Sequence, residues 1–372
     1  MTKEGFRKTV CDLLELADVR IDGDRPWDIR VHDERFFRRL LADGSLGLGE
    51  SYMDGWWDCE AIDELICHLL RAHLDEKVTS PAAVIDSLKA RLLNRQSRRR
   101  AFQVGEHHYN IGNDLYCRML DSRMIYSCGY WNSAETLEQA QENKLDLSCR
   151  KLQLHRGMRV LDIGCGWGGT ARFMAERYGV EVVGITVSTA QAELAREMCR
   201  GLPVDIRVCD YRNVEGTFDR IISIGMFEHV GYKNYRTYFR KVRELLTEDG
   251  IFLLHTIAGN TAAVKTDPWI ERYIFPNGML PSARQVSEAW EGLLILEDWH
   301  NFGPDYDRTL MAWHRNFEAA WPELKATYDE RFRRMWRYYL LISAGAFRAR
   351  SNQLWQIVLS KNGIPGGYRA PR

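Results

Sequence analysis

Between residues 160 and 257 the sequence sets out, in separate short clusters, the side chains that a reaction on a bound cofactor would require. The first is Val160-Leu-Asp-Ile-Gly-Cys-Gly-Trp-Gly-Gly169, an apolar run that ends in Asp162 and then alternates glycines at 164, 166 and 168. Glycine there lets a strand turn sharply into a helix and lets the backbone approach a ligand where a Cβ would clash. A pyrophosphate-binding dinucleotide site leaves two residues between its last two glycines. The alternation points instead to another cofactor with a ribose, and a glycine turn that binds nothing is the alternative for this motif alone. Four further clusters follow apolar runs: Thr186-Val-Ser-Thr-Ala-Gln191, Asp210-Tyr211, Phe227-Glu-His-Val230 and His255-Thr-Ile257. Carboxylate and imidazole groups of this kind hold or move protons near neutral pH.

The elements that must position these clusters are legible from periodicity. Strands are expected at 160–163, 181–187, 204–209, 218–225, 251–256 and 293–299, separated mostly by helical patterns such as 170–178, and Ser188 is placed to cap the helix after the second strand. Strands alternating with helices imply an α/β fold with a mostly parallel sheet covered on both faces. Ligands in such sheets sit beyond the carboxyl ends of the strands, where all five clusters fall.

A chain of 372 residues with 45% hydrophobic composition is long enough for two domains. Lys plus Arg equals Asp plus Glu, so net charge gives no argument for nucleic acid or any bulk acidic partner. No apolar run reaches the length of a membrane span, and the opening Met-Thr-Lys-Glu-Gly-Phe has no secretory signal, so a cytoplasmic location is expected. Nine cysteines without Cys-x-x-Cys spacing suggest neither a disulfide framework nor a metal site.

The character of the chain changes near residues 78–105. Residues 1–80 read as a helical N-terminal domain, with Ile62, Leu65, Ile66, Leu69 and Leu70 on one face after a turn-rich stretch at 44–55. Trp56 and Trp57 fit either packing or a lipid interface, with packing favoured. Residues 81–105 form a basic linker whose 89–100 stretch carries six basic residues and no acidic one; it is either a solvated helix or an amphipathic element for an anionic membrane. Residues 106–372 form the catalytic domain, ending in a flexible tail from Gly363.

Several rare strings, in order, make the resemblance specific. They are His108-Tyr-Asn-Ile-Gly-Asn-Asp114, Tyr126-Ser-Cys128, the glycine motif, Gly225-Met-Phe-Glu-His-Val-Gly231, Leu254-His-Thr-Ile257 and Tyr273-Ile-Phe-Pro-Asn-Gly278. The glycine spacing resembles the first motif of class I S-adenosylmethionine-dependent methyltransferases, and the whole set resembles the cyclopropane fatty acid synthases over nearly the full chain. The Gly-Glu-Ser-Tyr-Met-Asp-Gly-Trp-Trp stretch is similar to the phospholipid-modifying bacterial members. The resemblance implies a Rossmann-like sheet of seven strands, the last antiparallel, with the smaller helical domain serving dimerisation and lipid docking.

In that family an acyl-chain alkene attacks the sulfonium methyl of S-adenosylmethionine, and loss of a proton from the new methyl closes a three-membered ring. The chemistry needs a dry channel, groups that stabilise a cation and a base at the methyl, rather than a nucleophilic side chain. The family's base is a bicarbonate ion, and the resemblance places its partners at the Cys128 amide, the Ile224 backbone, Glu228, His255 and Tyr306. Glu228 is expected to orient His255 and the ion without taking the proton. S-adenosylmethionine contacts are implied for Tyr126, Ser127, Asp162, Gly164, Gly166, Gly168, Thr186, Gln191, Asp210 and Tyr211, with Asp210 able to accept from an exocyclic amine. Ser343 departs from the cysteine common in relatives, so no thiol nucleophile stands there.

The resemblance implies a cyclopropane-fatty-acyl-phospholipid synthase acting on unsaturated membrane phospholipids, a homodimer docked peripherally on the inner face of the membrane. Two alternatives are a lipid methyltransferase that does not close the ring and a catalytically silent lipid-binding protein. A nucleic-acid methyltransferase would need a sustained basic face, which only residues 89–100 approach.

Overall fold

An amphipathic helix needs a partner for its apolar face, and helix Ile62–Arg71 finds one far downstream, on helix Glu330–Arg348. Contact between them is close: a Cβ on Gly345 would stand 2.4 Å from the Asp63 carbonyl oxygen and 2.9 Å from Ile66 Cβ. Arg348 reinforces the pairing through ion pairs to Asp63 and Glu64, both at 2.6 Å. Such returns of the chain set the domain organisation of this computed structural model, which describes residues 2–74 and 112–372. One compact unit takes the described residues up to 74 together with 264–276 and 306–352; the other takes 112–263, 277–305 and 353–372. The sequence division at 80 and 105 was contiguous, whereas the first unit borrows two later segments to complete its core. The basic stretch 89–100 and residues 108–111 of the His108 string lie outside the described residues.

Within the first unit, the stretch expected to be turn-rich forms helix Ser45–Met53. Its glycines serve close approach: a Cβ on Gly47 would lie 2.5 Å from the Arg39 carbonyl oxygen, and one on Gly49 only 2.4 Å from the Trp269 ring. Two short strands, β1 (Arg30–Val31) and β2 (Trp57–Asp58), pair antiparallel. Trp57 is fully buried and its indole donates to Leu48 O and Ser51 Oγ, both at 3.1 Å, so it packs.

The second unit is built on seven strands: β3 (Arg159–Ile163), β4 (Glu181–Thr186), β5 (Val204–Val208), β6 (Phe218–Ile224), β7 (Leu246–Gly259), β8 (Ile295–Asn301) and β9 (Asn352–Ser360). Their order is β5-β4-β3-β6-β7-β9-β8. The pairs from β5 to β7 are parallel, and β9 runs antiparallel to β8. This is the class I methyltransferase sheet. Val160, Leu253 and Val358 face one layer, with Leu145, Cys149 and Met174, while Leu161, Phe252 and Ile357 face the other, with Tyr238, Phe239 and Trp290. β9 has no counterpart among the strands read from sequence. Nor is the tail loose, because Arg372 forms two hydrogen bonds to Asp298 (2.8 and 2.6 Å) and the Tyr368 hydroxyl donates to Lys151 O at 2.7 Å.

Replacing Gly345 by Ala is expected to destabilise the first unit by about 1–3 kcal/mol, because a Cβ must displace backbone rather than a side-chain tip. Urea denaturation would check this; an unchanged midpoint would mean that the two helices separate at no cost.

Candidate active site

The glycine turn follows from β3 ending against β4: the amides of Gly164 and Cys165 both donate to Ile185 O at 2.9 Å. Gly164 (φ +87°) and Gly168 (φ +84°) are left-handed, and a Cβ on Gly164 would lie 2.7 Å from Met226 Cβ. The turn therefore presents bare backbone at the sheet's carboxyl end, with helix Gly169–Tyr178 beginning immediately after it. Beside it, Thr186 Oγ1 donates to Gln191 Oε1 at 2.8 Å, and Ser188 caps the next helix by accepting from Gln191 N at 3.3 Å. Asp210 is less open than the sequence suggests, since Arg212 engages both its oxygens, at 2.7 and 2.6 Å. An adenine amine would have to share that carboxylate. Tyr126 packs edge-on to Tyr116, which in turn meets Trp167 of the glycine motif, with ring centroids 5.2 and 4.9 Å apart.

Beneath the turn lies a cluster that the sequence reading missed. Helix Leu137–Lys151 buries Gln141, Lys144, Ser148 and Lys151, a polar stripe on the face that carries Leu145 and Cys149 into the core. Lys144 Nζ donates to Ser127 Oγ at 3.0 Å, and Gln141 Nε2 to Ser127 O at 2.8 Å. The two together fix the segment that leads into Cys128, whose buried thiol donates to Gly129 O at 3.1 Å. Burial pulls Lys144 down to about 8, against the attraction of Asp121 and Asp162. It pushes Asp162 up to about 7, with Lys144 opposing. Asp162 Oδ2 and Gln141 Oε1 are buried without protein partners.

A second group of buried polar atoms lies where β6 and β7 end. Ile224 and His255 are register partners, and the Gly225 amide donates to His255 O at 2.9 Å. Glu228 Oε1 accepts from Ile257 N at 2.7 Å, two residues beyond His255 on the same strand, while Oε2 is buried without a protein partner. Burial raises Glu228 to about 7 against the opposing hydrogen bond from Ile257 N–H. Burial, aided by the Lys144 and Lys151 cations, holds His255 well below the usual imidazole range, so the ring is neutral. Its Nε2 also lacks a protein partner. Tyr306 belongs to the other unit, buried with its ring 4.6 Å from Phe347 and 5.9 Å from Trp313.

A glycine cradle and four orphaned polar atoms at the sheet's carboxyl end fit a ribose-containing cofactor and a small polar co-reactant. Residues 96–357 match the family model described as Mycolic acid cyclopropane synthetase. The chain belongs to the cyclopropane fatty acid synthase family. It is 55% identical to the cyclopropane-fatty-acyl-phospholipid synthase of Escherichia coli K12, covering 97% of this chain and 94% of that one. Among solved structures it resembles the cyclopropane synthase MmaA2 of Mycobacterium tuberculosis, with 32% identity, a TM-score of 0.66, and 70% and 98% of the two chains covered. It likewise resembles the mycolic acid cyclopropane synthase CmaA1 in complex with SAH and CTAB, with 31% identity, a TM-score of 0.65 and the same coverage. Like the rest of the cyclopropane fatty acid synthase family, the chain is an S-adenosylmethionine-dependent methyltransferase, and the carboxyl ends of β3 and β4 are where its residues fit that cofactor.

The unread stripe had a visible signal. Gln141, Lys144, Ser148 and Lys151 recur at three- and four-residue spacing on a helix face that also carries Leu145 and Cys149.

The Asp162 carboxyl takes up its proton more readily folded than unfolded, since its ordinary value is 3.8 and its folded value about 7. The native state therefore loses stability from this group as pH rises from about 4 to about 7, and the loss is complete above that range. Asp162→Asn should consequently raise the melting temperature of the ligand-free protein more at pH 7.5 than at pH 5, relative to the unsubstituted chain. Scanning calorimetry at both values decides it; equal differences would place an ordinary carboxylate there.

Proposed function

We propose that this chain transfers a methylene from S-adenosylmethionine to the cis double bond of unsaturated acyl chains in membrane phospholipids, with bicarbonate as the base. The observation that carries the reading is the pair of orphaned atoms on Glu228 and His255 at the ends of β6 and β7, supported by 55% identity to the Escherichia coli enzyme over almost the whole chain. When bound, S-adenosylmethionine supplies an electrophilic methyl and bicarbonate a base. The protein's part is to bind and orient. Gly164, Gly166 and Gly168 admit the cofactor to the backbone, Tyr126, Ser127, Thr186 and Gln191 line its methionine and ribose parts, and Asp210 with Tyr211 borders its adenine. The Cys128 amide, the Ile224 backbone and His255 hold the ion.

Glu228 has one oxygen fixed by Ile257 N–H and the other directed to no protein group. With its carboxyl raised to about 7, the proton it retains on Oε2 gives a hydrogen bond to an anion that a bare carboxylate would repel. His255, neutral and buried, orients the same ion and does not serve as the base.

We extend the proposal to the setting of the reaction. The substrate lies in a bilayer, and among the described residues no helix is long and apolar enough to cross a membrane. In this reading docking is peripheral, on the cytoplasmic face, through the helical unit and the basic residues 89–100, with two such surfaces on a homodimer prolonging residence. Reversing the charge of Arg98, Arg99 and Arg100 together should reduce co-sedimentation with anionic vesicles severalfold; unchanged binding would make the segment a linker only.

The deciding experiment incubates the protein with S-adenosylmethionine, bicarbonate and vesicles of monounsaturated phospholipid, then examines the acyl chains by NMR. High-field cyclopropane protons are expected. A methyl branch that keeps a double bond adds the same mass and would instead indicate transfer without ring closure; a 31% identical relative is named tuberculostearic acid methyltransferase UfaA1, of Mycobacterium tuberculosis. Glu228→Gln keeps a donor at the outer oxygen and should lose about tenfold in kcat, whereas Glu228→Ala should lose about a hundredfold, as expected for one charge-assisted hydrogen bond. Equal losses in the two variants would refute the donor role.

A further inference from the structure

Which nitrogen of His255 carries the proton decides whether the ring attracts or repels an anion, and a chain of hydrogen bonds reaching from helix Leu137–Lys151 through β9 settles it. Ser148 donates its hydroxyl proton to Lys144 O at 2.7 Å. A hydroxyl has one proton, so Ser148 Oγ meets the Gln356 side chain, 3.0 Å away, as an acceptor. The amide atom facing Ser148 must therefore be Nε2. That same nitrogen lies 3.3 Å from His255 Nδ1 and turns its second N–H toward it. With the amide reversed, its oxygen would face a hydroxyl whose proton is already given away, and both N–H groups would lose their partners. In the observed orientation only Oε1 lacks one. Gln356, Ser148 and His255 are all fully buried, so water does not compete for these contacts.

Opposite an amide donor, His255 Nδ1 is an acceptor, and the ring proton resides on Nε2. Phe302, edge-on to the imidazole with centroids 5.7 Å apart, packs against the ring. We infer that Gln356, oriented by Ser148, is a positioning residue that locks His255 as the Nε2–H tautomer, so that the ring gives a hydrogen bond to the anion at the end of β7. The lock stands on geometry alone; its consequence for catalysis rests on the bicarbonate reading above.

The test separates the two. In full-length protein carrying ¹⁵N-labelled histidine, the His255 resonances, identified by their loss in His255→Asn, should show a pyridine-type Nδ1 and a pyrrole-type Nε2. Gln356→Glu places an acceptor against Nδ1 and should reverse that pattern. It should also raise the bicarbonate concentration needed for half-maximal activity by about tenfold, the cost of one lost hydrogen bond, while the Kd for S-adenosylmethionine, measured by calorimetry, stays the same. Should Gln356→Glu fail to fold, Gln356→Met, of similar volume and without donors, is expected to give a mixture of the two tautomers. A pyrrole-type Nδ1 in the unsubstituted protein, or a His255 pattern indifferent to both substitutions, would overturn the inference. If the tautomer is as stated but the unsubstituted enzyme works equally well without bicarbonate, the lock is upheld and the bicarbonate reading is what fails.

Discussion

Taking ionisable groups out of water is the constraint on which the carboxyl end of the sheet depends. A buried charge without a partner costs several kcal/mol, so each such group must be neutralised, paired or handed to a ligand. Lys144, Asp162, Glu228 and His255 are all buried there, and each has moved toward its neutral form: the lysine to about 8, the two carboxyls to about 7 and the imidazole well below its ordinary value. The lysine and the two carboxyls, poised close to neutral pH, change protonation with little free energy when a charged molecule arrives, while His255 stays neutral. In the reaction proposed here two charged molecules arrive together, a sulfonium cation and an anion. A site built from permanently charged, solvent-paired side chains would have to break those pairs first.

The sheet explains how these groups came to be buried. Along β3 and β7, alternate residues face the layer formed by helix Leu137–Lys151, and the apolar sequence of that face ends in a polar side chain: Val160 is followed by Asp162, Leu253 by His255. On β9 the same alternation places Gln356 two residues from Val358. On the opposite face Ile163 and Leu254 belong to the other cluster, and the polar side chains that follow there on β6 and β7 are the buried hydroxyls of Ser223 and Thr256. The ionisable strand residues Asp162 and His255 thus fall on one side, where the helix that covers them answers with its own stripe of Gln141, Lys144 and Ser148.

This arrangement also accounts for what was legible in the sequence. The glycine turn, the strands through residue 301 and the clusters at 186–191, 210–211, 227–230 and 255–257 are local patterns, fixed by neighbours along the chain, and they reappear at the sheet's carboxyl end. The role of Gln356 was not legible, because β9, last in the chain, lies between β7 and β8, and nothing near residue 356 announces a partner a hundred residues earlier. The helical fate of residues 45–53 was hidden for a related reason. Glycine is normally a turn signal, and here its lack of a Cβ is used for contact with Arg39 and Trp269. Tyr306 illustrates the limit of order along the chain: it stands directly after residue 305 of the catalytic unit yet belongs to the other. Asp210 was correctly placed at a strand end, but its neighbour two residues on, Arg212, engages it first.

Helix Leu137–Lys151 links both halves of the site. Gln141 and Lys144 hold Ser127 and so the approach to the Cys128 amide; one turn later, Ser148 holds Gln356 and through it His255. The donor segment on one side of the expected anion and the imidazole on the other are therefore referenced to a single rigid element, four residues apart. Hydrogen-bond catalysis tolerates little misplacement, since a shift of about 1 Å can cost a hundredfold in rate. Referring both sides to one helix converts most displacements of that helix into a common movement of the pair, which preserves the distance between them. Two independent loops would have had to be fixed twice, and any relative motion between them would have opened the site to water. The buried lysines and amide on this helix are costly to fold around, and the geometry they hold in common is what that cost secures.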